Sequence, residues 1–478
     1  MAILHAMQWS VSRKHQKISA CSISRLEKRP RKPKTNQEES PMSASSTPAS
    51  ALPWWKEPTK DQWYAYCAAW LGWTLDAFDF TVFLLIMAPI AKEFGVPLIE
   101  VTAVFSVTLI MRLGGATASG WLADRLGRRA PLMISILWYS ICNLAAGLSP
   151  TFTFLFVARA LLGIGMGAEW PAGAALAMES WPVRSRGLMS GVLQGSWGLG
   201  FALSALAYGF LYEPFESIAP GYGWRGMLIL GVLPALVCVW IRIYVKEPEV
   251  WTENKKIQNA SKKQVTLPLF AIFKRKYLWN TFTGCLWMAA NFCVYYAIWA
   301  MLGTYLQKEL GWTPAQVAVP VFWGNILTFL ACSFWGGMSE RIGRRWALML
   351  PCAISIFLVP IYLTTTDPIW FLTSFLIFIC FVGGKDALNP GWLSERFPTE
   401  VRATAAGFVY HQGAVWGAAV APLLTYFAVN QGMGFAKPMM YGTIGSLVVY
   451  VIAVFLGPET KGKVMTADLE VIEAEIPA

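Results

Sequence analysis

Charge is what this chain has least of. Asp, Glu, Lys and Arg make up only 14% of its 478 residues, where a soluble domain carries about a quarter. So few charges cannot coat a water-facing surface of that size, which excludes an ordinary soluble protein. Histidine is nearly absent: there are three, and only His411 lies beyond the first fifteen residues. The nine cysteines contain no Cys-x-x-Cys pair and no metal-ligand spacing, so no metal or other cofactor is expected. Cys67, Cys142, Cys238, Cys285, Cys293 and Cys332 sit inside apolar stretches, where free cysteine usually acts as a small buried side chain. With no nucleophile–base pair and no metal cluster, an enzyme is not expected. No signal-peptide stretch precedes residue 60.

What the chain has is apolar length. It is 55% hydrophobic with a mean hydropathy of +0.45. A helix needs about 20 mostly apolar residues to cross the hydrocarbon core. Such runs predict helices near 64–90, 101–122, 130–148, 153–178, 188–211, 226–246, 279–306, 315–338, 346–364, 368–392, 403–428 and 438–457. The expected class is an all-α integral membrane protein with twelve spans, and the lipid bilayer is its first partner. Gly, Ala and Ser inside the runs suit close helix packing in lipid.

The formal charge of +11 does not imply nucleic acid, because its placement alternates. Arg and Lys cluster at 125–129, 184–186, 255–275, 341–345, 396–402 and 461–463, whereas the other loops carry few, such as Lys92, Lys308 and Lys437. The positive-inside rule then puts both termini in the cytoplasm of a multi-pass inner (plasma) membrane protein. Residues 1–60 are basic, then Ser/Thr/Pro-rich, and too polar to fold alone. Met42 opens a stretch that reads as a natural start, with residues 1–41 an upstream extension; a basic membrane-surface arm is the alternative.

An internal repeat organises the rest. Gly120-Trp-Leu-Ala-Asp124-Arg125-Leu-Gly127-Arg128-Arg129 returns as Gly336-Gly-Met-Ser-Glu340-Arg341-Ile-Gly343-Arg344-Arg345, an offset of 216 residues. The same offset relates Glu179-Ser-Trp-Pro182 to Glu395-Arg-Phe-Pro398 and Arg186 to Arg402. The expected domains are a tail (1–60), a six-helix half (61–246), a Lys-rich cytoplasmic linker (247–276), a second six-helix half (277–458) and a C-terminal tail (459–478). Parallel six-helix repeats are a transporter architecture, with the substrate near the midplane between the halves.

The Gly-x-x-x-Asp-Arg-x-Gly-Arg-Arg loop and its echo resemble the signature of the major facilitator superfamily. The resemblance implies two six-helix halves around a central cavity, alternating access, and a gating role for Gly120, Asp124, Arg125, Gly127, Arg128, Arg129, Gly336, Glu340, Arg341, Gly343, Arg344 and Arg345. Physically, Gly120 permits close helix approach, and Asp124 can accept bonds from arginines or from a helix N-terminus. A merely topogenic role for the arginines would require neither Asp124 nor the glycines.

Ionisable residues at bilayer depth are functional candidates by default. In the first helix Asp76 and Asp79 lie at i and i+3, roughly 18–22 Å from the near end by helical rise. Arg112 is in the second helix, Arg159 and Glu169 in the fourth, Lys385 and Asp386 in the tenth and His411 in the eleventh. The 216-residue shift sets Glu169 opposite Lys385. Stretches 3, 9 and 12 are uncharged and the sixth holds only Arg242 near its end; these resemble the superfamily's outer, lipid-facing helices. Proton-coupling candidates are Asp76, Asp79, Glu169, Asp386 and His411, since a desolvated carboxylate can load and unload a proton and histidine titrates near neutrality. Substrate-binding candidates are Arg112, Lys385, Trp170, Tyr295 and Trp299; Tyr296, Trp392 and Trp416 are further aromatic candidates. Structural ion pairs and packing aromatics are the plainer readings.

Leu75-Asp-Ala-Phe-Asp-Phe80, Arg112 and Gly165-Met-Gly-Ala-Glu-Trp170 followed by Glu-Ser-Trp-Pro resemble the sialate/lactate proton-symporter branch over about residues 60–460. That implies uptake of a small organic anion with a proton, driven by the proton gradient and working as a monomer. The seventh helix, Asn291-Phe-Cys-Val-Tyr295-Tyr-Ala-Ile-Trp299, lacks the His and Asp of the fungal lactate carriers. Rival readings are a sugar or polyol porter, because Pro458-Glu-Thr-Lys-Gly462 resembles that branch's ending, and a metabolite or drug exporter, against which Gly195-Ser196 replaces the Gly-Pro of superfamily antiporters.

Overall fold

The computed structural model describes residues 53–471, and these are helical with no strand among them. Expectations for residues 1–52 lie outside the described residues. The first six membrane helices are α1 (Lys60–Phe94), α2 (Leu98–Leu126), α3 (Arg129–Gly147), α4 (Phe152–Ser180), α5 (Arg186–Glu216) and α6, which runs as Tyr222–Ile229 and Ala235–Tyr244 around a tight turn. The second six are α7 (Arg275–Lys308), α8 (Pro314–Ile342), α9 (Arg344–Thr364), α10 (Pro368–Val382, resuming at Asn389–Arg396), α11 (Arg402–Thr425) and α12 (Ala436–Leu456). Every expected span is present. The linker is not featureless: it folds into the helix Glu249–Ser261.

Among the described residues, eleven helices are long and apolar enough to cross a membrane. The twelfth, α5, has 31 residues but is diluted by Gly187, Gly191, Gly195, Gly198 and Gly200. These glycines do packing work. A Cβ on Gly191 would overlap the Cys332 backbone of α8, and one on Gly200 would overlap Thr74 of α1. A helix enclosed by other helices need not be greasy all round.

Helices α2 and α3 pack on α4, and α1 on α5; in the second set α7 packs on α11 and α12. The most extensive contacts between the sets are α5 with α8 and α2 with α11. Exposed large apolar side chains cover faces of α3 (Ile134, Ile141), α6 (Leu236, Ile243), α9 (Phe357, Ile361) and α12 (Val449, Phe455), among others. Apolar faces of this extent belong in lipid. The four helices expected from the sequence to face lipid, the third, sixth, ninth and twelfth, each carry such a face.

The cross-pair α2–α11 depends on Gly120. A Cβ there would stand 2.6 Å from the Thr404 Cα, closer than any side-chain carbon tolerates. Gly120→Val is therefore expected to force α2 and α11 apart, at a cost of about 1–3 kcal/mol for overpacking. A lowered thermal transition together with at least a tenfold loss of transport checks this; unchanged transport would show that the close approach is dispensable.

Candidate functional site

Two sites emerge, a central cavity and a network of ions at one end of the bundle. The end that carries both repeated loops is called the motif end below.

The cavity holds about 70 Å³, room for roughly half a dozen waters. It lies between the two sets of six helices. Arg112 of α2, Gln194 and Trp197 of α5, Asn291 and Tyr295 of α7, Asn325 of α8, Lys385 and Asp386 of α10 and Tyr410 and His411 of α11 line it. Trp73, Phe80, Phe292, Tyr296 and Trp299 complete a largely aromatic wall. The side facing the motif end is closed by a cross-set stack: the Trp170 and Tyr410 rings lie 3.9 Å apart at 15°, and Gln194 donates to the Tyr410 hydroxyl at 3.1 Å while accepting from the Trp170 indole at 3.2 Å. Across the middle, the Trp197 indole donates to the Tyr295 hydroxyl at 3.2 Å.

The two cavity cations differ. Lys385 is engaged: its ammonium donates to Asp386 at 2.6 Å and to Asn291 at 3.0 Å, with the Tyr295 ring 5.6 Å away. Asp386 also accepts from Asn291 at 2.7 Å and Asn389 at 3.1 Å. Arg112 is under-used. One nitrogen, Nη2, reaches both Asp76 oxygens at 3.3 Å and the Met166 sulfur at 3.2 Å, whereas Nε is buried without a partner among the described residues. Its guanidinium lies over the rings of Phe80 and Trp197, 4.7 and 5.6 Å from their centroids. His411 Nδ1 bonds the Gly407 carbonyl at 3.1 Å. If that nitrogen carries the proton, Nε2 is an acceptor, and it is buried with no partner among the described residues.

Not every candidate reaches the cavity. Asp76, Asp79, Glu169 and Trp170 are buried but stand behind its wall. Asp76 turns to Arg112 of α2, and Asp79 turns towards Asn143 of α3 and Gly231, so the pair diverges rather than presenting one face to a solute. Glu169 packs against Gly72 of α1, and one of its oxygens has no partner. Arg159 is fully buried over the Phe83 ring, with Nη1 3.3 Å from Asn143. Trp416 is mostly exposed on the apolar outside, and Trp392 packs on Trp287, away from the cavity. Tyr295, Tyr296 and Trp299 do line it. Sequence reasoning passed over Trp73, Gln194, Trp197, Asn325 and Tyr410; neutral side chains carry no desolvation penalty large enough to mark them.

At the motif end the repeat becomes a pseudo-symmetric lock. Asp124 accepts from the Ala403 and Thr404 amides at 3.1 and 3.0 Å and from the Thr404 hydroxyl at 2.7 Å, capping the N-terminus of α11. Its counterpart Glu340 accepts from the Gly187 amide at 2.5 Å, capping the N-terminus of α5. Glu179 holds Arg128 of its own set at 2.7 Å and Arg402 of the other at 2.6 Å. Glu395 likewise holds Arg344 at 3.0 Å and, across the divide, Arg186 at 3.6 Å. Both loops turn at glycines in the left-handed region, Gly127 (φ 105°) and Gly343 (φ 94°). At each, a carboxylate caps the following amides: Glu247 those of Arg128 and Arg129, Glu459 those of Arg344 and Arg345. Burial pushes the Glu247 carboxyl above its ordinary value despite those two amide bonds. Gly336 approaches the Gly187 backbone. Arg125 lies over the Trp121 ring at 4.9 Å, and Arg341 is exposed.

The C-terminal segment belongs to this lock. Its backbone carbonyls accept from Arg186 (at Lys463), Thr399 (at Thr466) and Asn254 of the linker helix (at Ala467). Among the described residues, no cluster of three or more His, Cys, Asp or Glu could hold a metal.

A family model described as Major Facilitator Superfamily matches residues 69–422 and 285–469. The chain is 32% identical over 421 residues to a probable 4-methylmuconolactone transporter of Cupriavidus pinatubonensis, covering 86% of this chain and 93% of that one. It is 27% identical to the sialic acid transporter NanX of Escherichia coli, covering 84% and 96%. Among solved structures, the proton:xylose symporter XylE matches with a TM-score of 0.66 at 18% identity, covering 87% of this chain and 98% of that one.

Proposed function

The chain belongs to the Major Facilitator Superfamily, a family of membrane transporters rather than enzymes, and from that premise we propose that it is a proton-coupled symporter for a small, flat carboxylate. The two halves, 61–246 and 277–458, rock about the cavity, and the motif end faces the cytoplasm because the basic loops lie there. On this reading, a locked motif end is the state closed towards the cytoplasm.

One observation carries the reading: Arg112 lines an aromatic cavity with its buried Nε lacking a partner among the described residues, while its Nη2 holds Asp76 behind the wall. A carboxylate entering the cavity draws the guanidinium forward. Asp76 is then a buried carboxylate without its cation, a costly state that a proton removes. Anion and proton thus favour each other's binding through one side chain, which is the reciprocity that coupling requires. The buried cluster in this half has three carboxyls (Asp76, Asp79, Glu169) against two guanidiniums (Arg112, Arg159). Neutrality calls for one proton when the cavity is empty, and Asp79 and Glu169, neither of which has an ion pair among the described residues, are the two groups that could hold it.

The wall also speaks to the cargo. Aromatic faces suit a planar unsaturated acid, which stacks without needing many hydrogen bonds, better than a polyhydroxylated one. The relatives named for 4-methylmuconolactone and sialic acid support an acidic cargo. The ending shared with sugar porters does not favour a sugar: Glu459 caps the 343–345 turn at the motif end and is remote from the cavity lining.

The test is uptake into proteoliposomes of labelled muconate, benzoate, lactate, sialic acid and xylose, with and without an inward proton gradient. The expected result is gradient-dependent accumulation of the flat acids, at least tenfold above xylose. Gradient-independent uptake of xylose with no acid transported would overturn the reading.

A further inference from the structure

A second, unassigned site lies at the motif end, outside the central cavity and outside the lock itself. A groove of about 540 Å³ runs between α5 and α8, walled by Trp54, Arg184 and Leu188 on one side and Phe334, Met338 and Arg341 on the other. Its character changes along its length. Arg184 and Arg341 are exposed at its mouth, and Lys461 brings a third cation by donating to the Arg341 carbonyl at 2.7 Å. The lining acid, Glu340, is already committed to the Gly187 amide at 2.5 Å and to Arg344 at 3.0 Å, so the mouth is net positive. From there the groove passes onto an apolar stripe of α8: Phe334, Leu330, Trp323 and Val319 are all exposed along one side of the helix. A cationic mouth at a helix end, an apolar track leading away from it and a tryptophan at the boundary match the layering of a phospholipid.

We propose that this groove seats one anionic phospholipid, with its phosphate on Arg184 and Arg341 and an acyl chain along Phe334 and Leu330. Charge complementarity selects the anionic headgroup, since a zwitterionic one presents its own cation to the same arginines. The consequence rests on the transport reading above. Arg184 and Leu188 belong to one half, Phe334 and Arg341 to the other, and the backbones of Gly187 and Gly336 touch beside them. The lipid therefore bridges the halves where they must part, and it stabilises the cytoplasm-closed state.

Native mass spectrometry of the full-length protein released from mixed bilayers tests the site directly and does not depend on any transport assay. Phosphatidylglycerol is expected to be retained at one molecule per chain, about tenfold or more above phosphatidylcholine at equal concentration. Arg184→Gln with Arg341→Gln should reduce retention to the phosphatidylcholine level. Ser333→Trp, which fills the groove and keeps both arginines, should do the same and covers the case in which the double variant does not fold. Lys255→Gln with Lys256→Gln, which removes two linker cations, should leave retention unchanged. The proposal is overturned if the folded groove variants retain phosphatidylglycerol like the parent protein. It is equally overturned if phosphatidylcholine binds as well, or if millimolar glycerol phosphate displaces the lipid, which would mark a small-anion site.

Discussion

Arg112→Ala is expected to abolish gradient-driven accumulation, and the double change Arg112→Ala with Asp76→Asn to restore the folded protein without restoring transport. The single variant strands Asp76 in a site that is 0% exposed. Removing one partner of a buried ion pair costs about 3–5 kcal/mol, mostly because the other charge stays behind. The neutralised double variant removes that penalty, so its thermal transition should return towards the parent value. Transport should not recover, because a charge-assisted hydrogen bond from Arg112 to the substrate contributes about 1.5–3 kcal/mol, one to two orders of magnitude in affinity. Arg112→Lys should not rescue either: a point charge cannot reach Asp76 and a cavity anion at once. Measured accumulation in proteoliposomes decides the matter. If the double variant accumulates a carboxylate as well as the parent protein does, Arg112 is a structural ion and the coupling scheme fails.

Glu179→Ala should unlatch the motif end. Glu179 is the one acceptor shared by Arg128 and Arg402, both buried and drawn from different halves. Its loss leaves two guanidiniums facing each other in a dry site. The closed state should lose roughly a hundredfold or more in relative population. Cys332 reports on this, because it lines the cavity and is fully buried, its thiol 3.0 Å from the Gly383 carbonyl. In vesicles with the motif end outward, peptide-resolved alkylation of Cys332 should be slow in the parent protein and at least tenfold faster in Glu179→Ala. Glu395→Ala should behave alike but more weakly, since its cross-half contact to Arg186 is 3.6 Å rather than 2.6 Å. Equal alkylation rates in all three proteins would show that the ion network does not hold the gate.

The architecture was legible because lipid imposes a simple rule. Each span must be long and apolar, and each predicted span overlaps an observed helix. The lock was also legible, because two charged loops 216 residues apart are improbable without a shared role. The pairing of Asp124 with the α11 N-terminus and of Glu340 with that of α5 follows the same offset. The cavity was only half legible. Arg112, Lys385, Asp386 and His411 stood out because charge in lipid is costly, but cost alone cannot say which way a buried charge points. Asp79, Glu169 and Arg159 satisfy the same criterion and face the interior of one half.

By itself the sequence determined the class, the two-half repeat, the outer helices and the two repeated charged loops at the motif end. Each of these depends on length, periodicity and sign of charge, which are properties of the chain taken in order. Only the tertiary structure decided which charges meet the cavity, that Trp170 and Tyr410 close it from opposite halves, and that Glu179 and Glu395 each hold an arginine from the other half. These are contacts between residues more than 200 positions apart. They depend on the rotation of each helix about its axis, and that rotation is set by glycine-mediated packing against neighbours rather than by the helix's own residues.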